Sequence, residues 1–424
     1  MKRFLKYFLL FFIPFLIFFY ISIGRPIYCD EIWVYGFSHN LSKGMLIYRD
    51  FNVLQMPLYF FISSFFIKIF GDYVISIHIF DCILIGFLFL LSYKKYGYKS
   101  LLILFLLFVG FDGYNLFSLF LILLILYFIR DNEYNDFLIG ILVGLIFITK
   151  QNVGLSLFIP YIYYSKSKVK SIIIFLLPFF FVCVFFLLNS SIFSFLDCVF
   201  GSMFDFNQHN KMFVPFFMII EVLVIIHLIV MVFQNHSRDK RILYVLFFQV
   251  MSYPIFDDGH VFLALVPYFY LLFDYSFPFS KFSFLIVLLG YSFLFFPYSL
   301  ENIHLTRDVF WLRNDNNIDF SLLNSIHDKE EDYDYIFIAD WYAYVYKFYY
   351  NIPINQYDFL LSGNAGYHGV QRRINEIDQL CKEKSCLFAI RSNEFQQWLE
   401  FDYYIKDNYQ YIKEVSGFKF YRSR

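Results

Sequence analysis

Apolar runs long enough to cross a bilayer recur along this chain of 424 residues, and they constrain its fold more than any motif does. A helix needs about 20 predominantly apolar residues to span the hydrocarbon core. Hydropathy places such runs at 4–23, 74–93, 100–111, 115–129, 137–149, 153–164, 171–188, 213–233, 242–255, 261–273 and 282–299, about eleven in all. Several are short for a full crossing, so tilt or flanking residues must complete them. Charged residues make up 16% of the chain, against about 25% in a soluble domain. The expectation is a mainly α-helical polytopic membrane protein. The 64 phenylalanines carry no functional weight, because an AT-rich genome raises Phe, Ile, Lys and Asn together. A net charge of −1 and the lack of a basic stripe give no sign of nucleic-acid binding.

The basic residues sort by side. Lys2, Arg3 and Lys6, then Lys94, Lys95 and Lys99, Arg130, Lys166, Lys168 and Lys170, Arg238, Lys240 and Arg241, and Lys281 fall on alternate loops. The positive-inside rule makes those loops cytoplasmic. The opposite loops carry Asp30, Glu31, Asp50, Asp112, Asp197, Asp205, Asp257 and Asp258. One alternation accounts for the whole apolar part and puts residues 24–73 and the tail from about 301 outside. Gly24-Arg25-Pro26 offers no small-residue cleavage site, so 4–23 reads as a retained signal anchor.

The first outer loop holds the richest chemistry. Ile32, Trp33, Phe37 and Leu41 predict an amphipathic helix over about 31–43, suited to the membrane interface. A second short interfacial helix is expected over 60–70, ended by Gly71. Asp30 and Glu31 begin the first of these. N-capping and the positive end of the helix dipole explain such a pair without any function. A carboxylate there also suits a general base, if an acceptor hydroxyl comes within hydrogen-bond reach.

The surroundings of the pair carry a resemblance. Asp30-Glu31 after the first span, Gly44 leading to Tyr48-Arg49-Asp50, Pro57-Leu58-Tyr59 and Phe70-Gly71 resemble the opening of type C glycosyltransferases. The nearest branch is glycosyltransferase family 39 and its bacterial relatives, among them protein O-mannosyltransferases and lipid A aminoarabinose transferases. Tyr114-Asn115, Lys150-Gln151 and His260 after Asp257-Asp258 are similar to that branch too, so the resemblance covers roughly 1–300. It implies an enzyme that moves a sugar from a polyprenyl-phosphate carrier to an acceptor at the outer membrane face. The implied base is Asp30, with Glu31 as its neighbour. One departure stands out: the aminoarabinose transferases have Lys-Pro-Pro-Leu where this chain has Gln55-Met56-Pro57-Leu58, which leaves phosphate binding to other cations.

The layout fits that chemistry. A nucleotide-sugar enzyme needs a cytoplasmic domain, often with a Gly-rich turn. No G-x-G-x-x-G occurs, and the cytoplasmic loops are too short for a domain. Lys150, Gln151, Arg49 and His260 are the candidates for binding the donor phosphate, with Lys211 a further outer cation. Each has a plainer reading: a snorkelling lysine, an Arg49–Asp50 pair, a hydrogen-bonded histidine at a span end. Tyr48, Asp50 and Asp258 are candidates for sugar or acceptor hydroxyls. Asp30, Glu31, Asp257, Asp258 and His260 could hold Mg²⁺ or Mn²⁺ if their loops converge, although nothing in their spacing demands a metal.

From Glu301 the composition turns to charged and polar residues alternating with aromatics, which predicts a small extracytoplasmic α/β domain over 301–424. Strands are expected at 335–339 and 387–390, a helix at 341–350, and a hairpin over 411–421 turning at Ser416-Gly417. Gly363-Asn-Ala-Gly366-Tyr-His-Gly369 with Arg372-Arg373 suggests amides at a helix start near phosphate, or an ordinary surface loop. Cys381 and Cys386, with four residues between them, suit a disulfide on the outer side, while Cys29, Cys82, Cys183 and Cys198 lack metal-ligand spacing. Rival functions are a polysaccharide polymerase or ligase, and a lipid-linked sugar flippase. Against the flippase, the buried stretches lack a repeated charged pattern, Glu221 and His227 being the main exceptions.

Overall fold

The computed structural model describes residues 2–24, 29–101, 113–130, 135–209, 212–234, 239–253, 255–256, 258–275, 320–329, 332–338, 342–350, 352, 354–358, 365–391 and 399–423. The span expected at 282–299 and nearly all of that at 100–111 lie outside these. The apolar runs form helices α1 (Lys2–Gly24), α4 (Ile75–Tyr96), α5 (Gly113–Arg130), α6 (Asp136–Phe147), α7 (Gln151–Tyr164), α8 (Lys168–Leu188), α11 (Pro215–Phe233), α12 (Arg241–Phe248) and α13 (Asp258–Leu272). Among the described residues, α4, α8 and α11 are long and apolar enough to cross a membrane by length and composition, and the other apolar helices are shorter. Local sequence sets their starts. Asn135 caps α6 by accepting from the amides of Phe137 and Leu138, and Pro215 opens α11 where no amide hydrogen bond is lost.

At one end of the bundle the basic loops meet. Lys95 pairs with Asp274 at 3.7 Å, and Arg241 bonds to Asp239 at 2.6 Å and also to Asp274. Tyr161 donates to the carbonyl of Asp136 at 2.9 Å, the Lys166 amide to its carboxylate at 3.1 Å, and the Lys6 ammonium lies 5.4 Å from the Tyr93 ring. Packing therefore ties several of the basic segments to acidic and aromatic partners.

The opposite end carries α2 (Cys29–Ser42) and α3 (Leu58–Phe70), the latter stopped by Gly71 at φ +100°. The expectation of an interfacial amphipathic α2 is corrected here. Every residue from 32 to 41 is buried, so α2 has no lipid- or water-facing side along that stretch. One side packs on the bundle and the other is covered by the C-terminal region, through helix α15 (Tyr342–Tyr349) and residues 354–356. The Phe37 and Tyr344 rings meet edge to face at 5.6 Å, and Asn40 bonds both backbone groups of Ile354. Gly36 permits this closeness: a Cβ there would stand 2.3 Å from Ile354 Cδ1 and 2.7 Å from Tyr344 Cδ1.

Between α8 and α11 the chain forms α9 (Ile192–Leu196), a π turn (Asp197–Gly201) and α10 (Ser202–His209). Strands β1 (Met212–Phe213) and β2 (Ile255–Phe256) then pair in parallel and set the starts of α11 and α13 side by side.

The C-terminal unit comprises α14 (Phe320–His327), β3 (Tyr335–Ile338), α15, α16 (Gly369–Glu383), β4 (Cys386–Arg391), α17 (Leu399–Asn408), β5 (Gln410–Val415) and β6 (Phe418–Arg422). Its sheet runs β3-β4-β6-β5, parallel between the first two strands and antiparallel elsewhere. The hairpin turns at Ser416 and Gly417, both at positive φ, as the two-residue loop requires. Val370, Ile374, Ile377 and Cys381 line one face of α16 and pack with Phe388 and Ile390. Cys381 and Cys386 are joined by a disulfide. Helix α17 was not expected from sequence, and α16 only as one of two readings, a helix start after Gly363–Gly369 or a surface loop.

Candidate active site

The start of α2, the turn over 44–57, the head of α5, the junction between α6 and α7, and the end of α12 meet at the end of the bundle beneath the C-terminal unit. Asp30 stands in the first turn of α2, and its side chain lies outside what the structure describes. The next residue, Glu31, points its carboxylate at His78 Nε2 on α4, and both side chains are largely buried. One turn further along α4, Asp81 accepts the Tyr59 hydroxyl at 3.0 Å. The Tyr59 ring, from the Pro57-Leu58-Tyr59 segment, packs edge-on against Tyr114 at 6.5 Å. Glu31–His78 and Asp81–Tyr59–Tyr114 thus lie one helical turn apart along α4.

Lys150 reaches Tyr114-Asn115. It precedes α7 in extended conformation, and its ammonium bonds Asn115 Oδ1 at 2.7 Å and the Met251 carbonyl at 3.3 Å, with the Tyr114 ring 6.0 Å away. Gln151 is buried and donates to the carbonyls of Leu54 and Val199 at 3.2 and 3.4 Å, so it ties the 44–57 turn to the π turn. Two residues before Lys150, Ile148 lines an apolar groove of about 490 Å³. Phe61, Ile141, Leu145, Leu177 and Phe181 are among the groove's other walls, and Phe181 is exposed, so the groove opens on the apolar flank of the bundle.

The remaining candidates behave differently. Arg49 bonds Asp50 through two nitrogens at 2.8 and 2.9 Å, and the Asp50 carboxylate also accepts the Leu46 amide at 2.7 Å. The Arg49 guanidinium holds the Asp50 carboxyl below the usual carboxylate range. Tyr48 is buried at φ +68°, donates to the Gln55 carbonyl at 2.6 Å and packs against Phe186 and Phe195. These three build the turn. His260 and Asp258 stand in the first turn of α13, His260 half-buried and the Asp258 side chain outside the described residues. Among the described residues no group of three or more His, Cys, Asp or Glu side chains is placed to hold a metal; Lys211 and Asp257 lie outside them.

The Gly363–Gly369 motif, where described, faces protein carboxylates. The amides of Gly366, Tyr367 and His368 donate to Ser202 Oγ, Asp197 and Asp205 at 2.8, 3.1 and 2.7 Å, and Arg372 adds a bond to Asp197 at 3.0 Å. Amides at a helix start, one of the sequence expectations, are used here as a clasp between the C-terminal unit and the segment before α11. Nearby, burial pushes the Cys198 thiol up to about 12, which suits an inert cysteine.

Sequence reasoning missed His78 and Asp81. The available signal was two ionisable groups three residues apart at the head of an apolar span, where such residues are costly.

No protein-family profile matches this chain, and no curated protein matches it. A solved structure shares its fold. The solved structure of ArnT from Cupriavidus metallidurans bound to undecaprenyl phosphate superposes with a TM-score of 0.57 and 11% sequence identity. The match covers 99% of this chain and 98% of that one.

Proposed function

We propose that this chain is an integral membrane glycosyltransferase that moves a sugar from a polyprenyl-phosphate-linked donor to an acceptor at the outer face of the membrane. The observation that carries this reading is the Lys150 ammonium held by Asn115 and the Met251 carbonyl, with an apolar groove that reaches Ile148, two positions earlier in the chain. A polyprenyl phosphate is an apolar chain with an anionic head, and the groove and the ammonium match its two halves. The likeness to a structure that holds undecaprenyl phosphate supports the same class of ligand.

In the reaction, the acceptor hydroxyl oxygen bonds to the anomeric carbon while the bond from that carbon to phosphate breaks. Polyprenyl phosphate leaves with the electron pair. Asp30 takes the hydroxyl proton and Glu31 sits beside it. Lys150 stabilises the charge that grows on the phosphate, an effect strengthened where water is excluded. Asn115 and the Met251 carbonyl hold the ammonium in place for that task.

The test uses the full chain in liposomes with a polyprenyl-phosphate hexose or pentose labelled in its sugar, and envelope extract as acceptor. Transfer of label with release of polyprenyl phosphate is the expected result. Passage of the intact donor across the bilayer would make the chain a flippase, and growth of one long labelled polymer would make it a polymerase.

A further inference from the structure

The contact between Glu31 and His78 goes beyond the transferase reading, on which the following inference rests. His78 is 92% buried near the head of α4, where an apolar residue would pack equally well, so its partner explains its presence. Its Nε2 faces the Glu31 carboxylate. Its Nδ1 is buried and has no hydrogen-bond partner among the described residues. The neighbouring acid on α4, Asp81, accepts from Tyr59. A ring protonated on both nitrogens would bury an N–H that no described residue accepts. A ring protonated on Nε2 alone leaves only a bare lone pair there and serves Glu31 as a donor.

We propose that His78 is a positioning residue that acts as a neutral Nε2–H donor. It holds the Glu31 carboxylate, one residue after Asp30 in α2, by that hydrogen bond and takes no proton itself. The acceptor proton ends on the Asp30 carboxylate. Glu31, the next residue along α2, supplies a fixed negative charge, and the imidazole stays in one tautomer throughout.

The experiment compares His78→Gln, which keeps a neutral N–H donor at a similar reach, with His78→Leu, which keeps only bulk. Both are made in the full chain in liposomes, with insertion and thermal unfolding checked first. The expected result is transfer within about fivefold of the parent for His78→Gln, the scale of one altered neutral hydrogen bond. His78→Leu should lose about 10²-fold in kcat at unchanged donor KM. Equal, severe loss in both folded variants would mean that the ring must carry a proton, and near-parent activity in both would mean that it only packs; either overturns the proposal. A parent chain that transfers no sugar defeats the transferase reading instead. In that case the imidazole ¹⁵N shifts, assigned by their loss in His78→Gln, still decide His78: a protonated Nε2 and bare Nδ1 are expected, and a doubly protonated ring overturns the assignment.

Discussion

Asn40, in α2, bonds both backbone groups of Ile354: its amide nitrogen reaches the carbonyl at 2.8 Å and its oxygen accepts the amide at 3.3 Å. The side chain thereby imitates a strand partner for a segment far along the sequence. Asn40 is fully buried, so Asn40→Leu leaves the Ile354 carbonyl and amide without their partner. The expected cost is about 1–3 kcal/mol. Thermal unfolding of the purified chain should show it, together with faster proteolysis within 342–358.

Lys150→Met keeps the length and packing of the side chain and removes its charge. Loss of one preorganised cationic donor at a leaving phosphate lowers the rate by about 10²–10³-fold. Steady-state assays should place most of the loss in kcat and leave the melting temperature within a few degrees. Unchanged transfer would remove Lys150 from the reaction.

Asp30→Asn keeps the shape of the side chain and removes the base. The expected loss of transfer is about 10²–10⁴-fold, with insertion and unfolding unchanged. A variant within a few-fold of the parent would exclude Asp30 as the proton acceptor.

Asp72 lies in the loop between α3 and α4. Burial raises its pKa, but bonds from His39 and Tyr35 at 2.6 Å and from Lys43 at 2.8 Å outweigh it, and the carboxyl sits well below its usual range. A depressed carboxylate contributes stability that is present above the unfolded value of about 3.9 and is lost as pH falls through the folded value. The melting temperature should therefore drop as pH is lowered below about 4, and Asp72→Asn should flatten that part of the profile.

The Cys381–Cys386 bridge closes a short loop between α16 and β4. Closing so few residues stabilises by about 2 kcal/mol on the chain-entropy account. Reduction, or Cys381→Ser with Cys386→Ser, should lower the unfolding midpoint of the C-terminal unit and leave the membrane bundle unaffected.

Local chemistry made much of this legible in the sequence. The positive φ at Ser416 and Gly417 and the stop at Gly71 each depend on a few neighbouring residues. Helix α16 was also within reach, since Val370, Ile374, Ile377 and Cys381 follow helical spacing, but the glycines before it drew the reading toward a loop. The burial of α2 was not legible. Its apolar stripe looks the same whether the other face meets water or a cover such as Tyr344 and Ile354, more than 300 positions away. The Glu31–His78 contact was hidden for a similar reason, because no periodicity links the start of α2 to the head of α4.

The pairing of Asn40 with Ile354 has a consequence for biosynthesis. The two are 314 positions apart, so at 5–20 residues per second roughly 15–60 s pass between their translation. For nearly all of that interval the far side of α2 is a bare apolar surface with a polar amide in its midst, and a nascent chain stalled before residue 342 has neither α15 nor Ile354 to put there.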